Sequence, residues 1–185
     1  MTNKKKIIAI LGSTRKGSAN LNLLNAIIKL YSKTLHIRIF QGLQDIPHFN
    51  PDLDTENPPE KIIDFRRRLR EADGILICTP EYAMGVPGTL KNAIDWTVSS
   101  MEFSHKPVAL ITASSAGHEG HLSLMKTLKI IEADIPDGSQ LLISFIKTKL
   151  SADKIIDTAT LGQLKMLIES FILTIDKSQA LNKSL

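Results

Sequence analysis

Cysteine is almost missing from this 185-residue chain. Cys78 is the single one, so an intrachain disulfide framework is excluded and a reducing, cytoplasmic setting fits. No apolar run approaches the ~20 residues that cross a bilayer. The run behind the basic N-terminus, Ile7 to Leu11, is shorter than the ~7–15 residues of a signal-peptide core and reads as a strand. A Gly-Lys-Ser/Thr phosphate loop is missing, as is Gly-x-Gly-x-x-Gly, so a dinucleotide bound across the first strand-to-helix turn is not expected. His48, His105 and His121 are scattered without metal-ligand spacing, and no serine–histidine–acid arrangement is visible. Charge of one sign is not in large excess either. The net charge is +4, which reads as a surface kept soluble by lysines, with neither nucleic acid nor membrane as partner. Internal repeats, low-complexity segments and a second domain are also lacking, so residues 1–185 read as one domain.

What is present is an alternation. Hydrophobic residues make up 43% and charged residues 23%, ordinary for a globular protein. Lys6 to Leu11, Gly74 to Thr79 and Pro107 to Ala113 are nearly continuous apolar runs, as strands covered on both faces are. Leu35 to Phe40 alternates and reads as a strand with one less buried face; Gln140 to Ile146 supplies the fifth. Between them lie helical patterns. The first carries Leu21, Leu24, Ile28 and Tyr31, widened by Leu23, Ile27 and Leu30, and the second, Glu60 to Glu71, turns Ile62, Phe65 and Leu69 inward. Pro87 opens a third through Thr97, and a fourth spans His121 to Glu132. Ser151 is expected to cap a last helix through Asp176, with Ile156, Leu164, Leu167, Phe171 and Ile175 inward and residues 177–185 fraying. Gln41 to Pro59, with four prolines, is a long connection. Such an alternation predicts an α/β three-layer sandwich around a five-stranded parallel sheet.

Three loops at the carboxyl ends of strands concentrate the chemistry, which is where open α/β sheets bind ligands. Gly12-Ser13-Thr14-Arg15-Lys16-Gly17-Ser18-Ala19-Asn20 opens the first helix. Free N–H groups and the helix dipole favour an anion there, Ser13 and Ser18 add hydroxyls, Arg15 adds a planar charged fork, and Asn20 caps the helix or donates to the anion. Pro80 to Trp96 follows the third strand and leads into a helix. Ser114 to Gly120 follows the fourth, with small residues that permit close backbone approach. Cys78 reads as a small core residue, and Arg66, Arg67, Arg68 and Arg70 as the solvated face of their helix.

The first two loops together resemble the NADPH-dependent FMN reductase family, which is flavodoxin-like. Gly12, Ser13, Arg15, Ser18 and Asn20 meet the fixed positions of Gly-Ser-x-Arg-x-x-Ser-x-Asn. Pro80-Glu81-Tyr82 through Pro87-Gly88-x-Leu90-Lys91-Asn92-x-Ile94-Asp95-Trp96 meets the second motif, with Ala83 where the pattern has asparagine and Gly85 where it has serine. The resemblance covers about residues 5–120 and implies strand order 2-1-3-4-5 with FMN at the switch between strands 1 and 3. It implies phosphate contacts from Ser13, Arg15, Ser18 and Asn20, and ring contacts from Pro80, Glu81, Tyr82 and Ala83. Ser114, Ser115 and Gly117 would cover the far edge of the ring. Leu43 to Pro47 would support the site from behind. Lys91, Asn92, Asp95 and Trp96 would serve helix packing and a subunit interface. The implied activity is hydride transfer from NADPH or NADH through flavin N5 to a small acceptor, namely a quinone, an azo compound, free flavin or a metal oxyanion. No catalytic side chain is required, His118 included, and the family's habit implies a homodimer or homotetramer. The alternative, kept open by Ala83 and Gly85, is an FMN-binding redox or sensor module with little NAD(P)H turnover.

Overall fold

β-branched and leucine-rich runs become the strands of a single parallel sheet in the computed structural model, which describes residues 4–183. The strands are β1 (Lys5–Leu11), β2 (Leu35–Ile39), β3 (Gly74–Thr79), β4 (Val108–Ala113) and β5 (Gln140–Ile143), in spatial order β2-β1-β3-β4-β5. All four pairings are parallel, with Ile7 opposite Ile37, Ala9 opposite Leu76, Ile77 opposite Leu110 and Thr112 opposite Leu142. β3 and β4 are buried along their whole length, which explains their unbroken apolar character. β2 lies at an edge: Leu35 and Ile37 are buried while His36 and Arg38 face solvent.

Helices cover both faces. On one, α1 (Ala19–Leu30) and α6 (Thr158–Lys183) pack Leu23, Leu24, Ile27, Leu164, Leu167, Phe171 and Ile175 on Ala9, Leu76, Cys78 and Ile111. On the other, α2 (Glu60–Glu71), α3 (Gly88–Asp95) and α4 (His118–Ile130) pack Ile62, Phe65, Leu69, Leu90, Ile94 and Leu128 on Ile10, Ile75, Ile77 and Leu110. The buried stripe of α1 centres on Leu23, Leu24 and Ile27, with Ala26 beside them, rather than on Leu21 and Ile28.

Several boundaries differ from the sequence expectation for identifiable reasons. β5 stops at Ile143, since Phe145 adopts left-handed backbone at φ 53° and turns the chain into a four-residue helix, α5 (Ile146–Lys149). Ser151 is not a helix cap. It belongs to a small hairpin, β6 (Leu150–Ser151) with β7 (Lys154–Ile155), and Ile156 is exposed. α6 begins only at Thr158, where the Asp157 carboxylate accepts from the Thr160 N–H at 2.8 Å. It runs on to Lys183 rather than fraying after Asp176, held by a Gln179-to-Asp73 hydrogen bond and a Lys5–Asp176 ion pair. The remaining residues of the expected frayed tail, 184–185, lie outside the described residues. α4 begins three residues earlier than the pattern suggested, at His118.

The long connection after β2 is fastened by the motif helix α3. Asn92 donates to Pro47 O (3.0 Å) and accepts from the Phe49 N–H (2.7 Å), and the Trp96 indole donates to Pro47 O (2.8 Å). Leu43 and Ile46 are buried beneath it. Trp96 is 0% exposed, with Phe49 edge-on at 5.1 Å, so its role is internal packing and the interface expectation for this side chain does not hold. Arg66 is likewise not solvated. It is buried, donates to Trp96 O and pairs with Asp54 at 2.6 Å. Burial alone would raise Asp54, but hydrogen bonds from Ser99 and Arg66 and the Arg66 charge hold its carboxyl below the ordinary range.

Candidate functional site

The carboxyl ends of β1, β3 and β4 open onto a cavity of about 550 Å³. Ser13, Arg15, Ser18, Asn20, Pro80, Tyr82, Ser114 and Ser115 line it, so most of the residues singled out from sequence are brought together. Glu81, Ala83 and Gly117 do not line it.

The β1–α1 loop is shaped for an anion. Ser18 caps α1, its Oγ accepting from the Leu21 N–H at 3.1 Å, which leaves its own O–H free to donate. Gly17 supplies a left-handed turn at φ 68°. Gly12 carries the chain past β3, where a Cβ would lie 2.3 Å from Thr79 Oγ1, so no larger residue fits. Asn20 is turned inward, and the capping role expected of it falls to Ser18. Its amide donates to Ala113 O (2.9 Å) and its Oδ1 accepts from the Cys78 thiol (3.4 Å), which ties the start of α1 to the ends of β3 and β4. Burial pushes the Cys78 thiol up to about 12, so it is an inert core group. Ser13 is only 5% exposed, yet its hydroxyl makes no hydrogen bond with a described residue. The hydroxyl is nevertheless accessible from the cavity that Ser13 lines, so it can donate to a molecule held there. The Arg15 side chain is exposed and unpaired among the described residues, and no Asp or Glu lines the cavity.

The loop after β3 is a closed tight turn. The Tyr82 N–H donates to Gly85 O and the Gly85 N–H to Tyr82 O, each at 2.9 Å. Ala83 and Met84 between them have φ 48° and 60°, the left-handed pair of a type I′ turn. Neither of their N–H groups has a partner among the described residues, and both residues are exposed. Tyr82 is 55% exposed at the cavity rim.

Glu81 faces away from the cavity. Its carboxylate accepts from the Gly120 N–H at 2.6 Å, satisfying a donor in the first turn of α4. The α4 N-cap, Gly117, offers no side chain for that task. At Gly120 a Cβ would meet Gly85 O at 2.8 Å and Glu81 Cγ at 2.9 Å, so the two loops touch backbone to helix. Gly117 itself, at φ 98°, makes the turn into α4 with Leu142 2.8 Å from where its Cβ would be, a conformational role rather than a lining one. His118 is exposed beside Glu119 (3.2 Å) and does not line the cavity.

Sequence reasoning missed the far wall, formed by Phe145, Ile146, Lys147 and Thr148 with Leu150 and Ala152. The apolar run Leu141 to Ile146 concealed it, since nothing in that run signals a turn. Among the described residues, no group of three or more metal-ligating side chains gathers anywhere.

A parallel sheet in this order, with the loops after β1 and β3 opening onto one cavity at its carboxyl end, defines a flavodoxin-like fold. The family model for NADPH-dependent FMN reductases matches residues 5–148, and the chain belongs to that family, whose members are FMN- and NAD(P)H-using oxidoreductases. It is 30% identical to a quinone reductase of Escherichia coli K12 over 92% of this chain and 95% of that protein. It is 34% identical to an NAD(P)H-dependent FMN reductase of Pseudomonas aeruginosa, covering 82% of this chain and 84% of the other. The flavoenzyme NAD(P)H:(acceptor) oxidoreductase of Paracoccus denitrificans has the same fold, with a TM-score of 0.74 at 24% identity over 94% of this chain and 98% of that one. Among the described residues, no helix is long and apolar enough to cross a membrane.

Proposed function

We propose that this cavity holds FMN, with the phosphate on the β1–α1 loop and the ring against the loops after β3 and β4, and that the enzyme passes electrons from NADPH or NADH to a small acceptor. The observation that carries the reading is the cavity's donor set: the accessible, unbonded hydroxyl of Ser13, the free cation of Arg15 and, among the described residues, no lining carboxylate. These groups fit a phosphate. Ser18 adds its remaining proton, and Ser114 and Ser115 add further hydroxyls. The unpartnered N–H groups of Ala83 and Met84 stand beside the rim residue Tyr82 and outside the cavity lining, so they would meet the carbonyl edge of a ring that extends past Tyr82 and bear on its electronics from the backbone. Glu81 fixes that turn on α4 rather than touching the ring. Tyr82 and Phe145 give the rim apolar surface for stacking flat molecules.

FMN, when bound, supplies the redox chemistry, and the protein supplies proximity and electrostatics. The named activities of the relatives support quinones and free flavins as acceptors, beside azo compounds and metal oxyanions. The working form is a homodimer or homotetramer in the cytoplasm, with the exposed side chains of Tyr82, Met84 and Met101 as apolar surface for a partner copy to cover.

The test is spectroscopic. The protein is purified, given FMN, freed of excess, and mixed with NADPH under nitrogen. Bleaching of the bound flavin at a catalytic rate is the expected result. Bound FMN that NADPH leaves oxidised would make the chain a redox or sensor module, and failure to retain FMN would remove the cofactor assignment.

A further inference from the structure

The cavity wall facing the β1–α1 loop is built with unusual care for a surface segment. Phe145 is 67% exposed and stands in left-handed backbone at φ 53°. A bulky residue there is an outlier that persists only when its surroundings hold it. Its N–H donates to Ser115 O and the Ile146 N–H to Ser114 O, both at 3.2 Å. Ser144 Oγ donates to Ala116 O at 2.9 Å. Thr148 returns its N–H and its hydroxyl to Phe145 O at 3.0 and 2.9 Å. The segment is thereby sewn to the loop after β4, and Lys147 is set on the cavity lining.

Lys147 has no acidic partner among the described residues, and Arg15, lining the same cavity, has none either. Two unpaired cations in one hollow repel each other unless an anion lies between them, and such an anion is attracted by both.

We propose that Lys147 is a second phosphate-binding cation, which closes with Arg15 on one phosphate group of a bound nucleotide. The proposal rests on the reading of the cavity as the FMN site. Phosphate chemistry is offered by FMN itself and by the 2′-phosphate of NADPH, and riboflavin and NADH are the matched ligands that lack it.

Wild-type protein, Lys147→Ala and Lys147→Arg are titrated with FMN and with riboflavin by flavin fluorescence, and KM is measured for NADPH and NADH. Lys147→Ala should weaken FMN about tenfold, within the range of hydrogen bonds to charged groups. Riboflavin affinity should not change, and Lys147→Arg should restore FMN binding. The wild-type advantage should shrink as salt is raised. An unchanged FMN affinity with KM raised for NADPH alone would keep the phosphate clamp and assign it to the nicotinamide nucleotide. Equal losses for FMN and riboflavin would overturn the proposal, because the side chain would then be shaping the pocket rather than binding phosphate. So would no change for any ligand. A wild-type protein that binds no FMN would fell the cavity reading first and this proposal with it.

Discussion

Two hollows of similar size lie on this molecule, and they differ in whether a carboxylate stands among their cations. The one on the solvent-facing side of β2, about 600 Å³, is lined by Lys6, His36, Arg38, Arg67 and Arg68 among others. Arg67 is held by Asp64 (2.6 Å) and Glu71 (2.9 Å), Arg68 by Asp64 (2.8 Å), and Arg38 lies against His36 Nε2 at 3.2 Å. Asp64 sits below the ordinary carboxylate range because Arg68 and Arg67 donate to it. An edge strand bearing His36 and Arg38 is also one that resists pairing with a second sheet. The hollow at the carboxyl ends of the strands, about 550 Å³, has fewer cations, and among the described residues Arg15 and Lys147 meet no carboxylate on its lining, while the Ser13 hydroxyl is accessible and makes no hydrogen bond. Volume does not distinguish the two hollows, and neither does a lone cation, since Lys6 and Arg38 have no acidic partner among the described residues. The lining carboxylate Glu71, present in one and without a counterpart among the described residues of the other, does.

Removing one arginine from each hollow should separate the two most strongly. Arg15→Ala should weaken FMN binding by about 1.5–3 kcal/mol, the scale of hydrogen bonds to a charged group. Arg38→Ala should leave FMN affinity where it was. Titration of both variants decides it, and similar losses in the two would mean that diffuse positive charge, rather than the β1–α1 loop, draws the nucleotide.

The next effect lies within the site, where the loops after β3 and β4 meet. Gly120→Ala introduces a Cβ against Gly85 O and Glu81 Cγ, and backbone cannot yield as a side chain tip does. Overpacking of this kind costs about 1–3 kcal/mol. Glu81→Ala removes the acceptor for the Gly120 N–H and should cost about 1 kcal/mol, as lost helix caps do. Urea unfolding checks both. Glu81→Gln, which keeps an acceptor oxygen, should recover most of the second loss.

His121 extends the contrast between exposed and enclosed ionisable groups. It is buried on α4, with Nδ1 2.9 Å from Thr112 Oγ1 and Nε2 3.0 Å from Gln140 Oε1. The network assigns Nδ1 as acceptor and Nε2–H as donor. Burial holds its pKa below the ordinary histidine value despite the Gln140 hydrogen bond, and His118 adds to the lowering. The unfolded chain therefore binds a proton at a higher pH than the folded one. Stability is full above the unfolded value of about 6.5 and is lost as pH falls from there toward the folded pKa. Thermal melts between pH 7.5 and 5 should show that slope, and His121→Gln should flatten it.

Much of this arrangement was legible in the sequence because burial on both faces leaves a plain signature. β1, β3 and β4 read as unbroken apolar runs, and the glycine-bearing loops behind β1 and β3 marked the switch point. What escaped was set by tertiary contacts. Phe145 turns left-handed without glycine or asparagine to announce it, so the wall carrying Lys147 lay hidden inside an apolar run. Ala152, at φ 50°, makes the hairpin that displaced the start of the last helix. Arg66 sits in a run of arginines and only the fold separates it from them, since Asp54 and Trp96 O come to it from other segments. Glu81 and Asn20 were legible as site residues, but their partners, Gly120 and Ala113, showed them to be the fastenings of the loops.

The smallest effect tests the turn after β3, which reciprocal backbone hydrogen bonds close. Left-handed backbone disfavours L-residues with a Cβ, by roughly 1–2 kcal/mol each in a regular helix, and asparagine less than most. Type I′ turns accordingly favour Asn-Gly at their centre, whereas this chain has Ala83-Met84. The motif that the loop resembles carries asparagine at the position of Ala83. Ala83→Asn should therefore stabilise the protein by something under about 1 kcal/mol, or roughly 2–4 °C per kcal/mol for a chain of this length. It should also leave the two unpartnered N–H groups better fixed for a ring, so FMN affinity should rise or hold while the melting temperature rises. A fall in both would show that the conformation at Ala83 is not a cost to this chain. The reciprocal hydrogen bonds of Tyr82 and Gly85, together with the Glu81 anchor on α4, would then be sufficient to define the turn whatever residue stands at its tip.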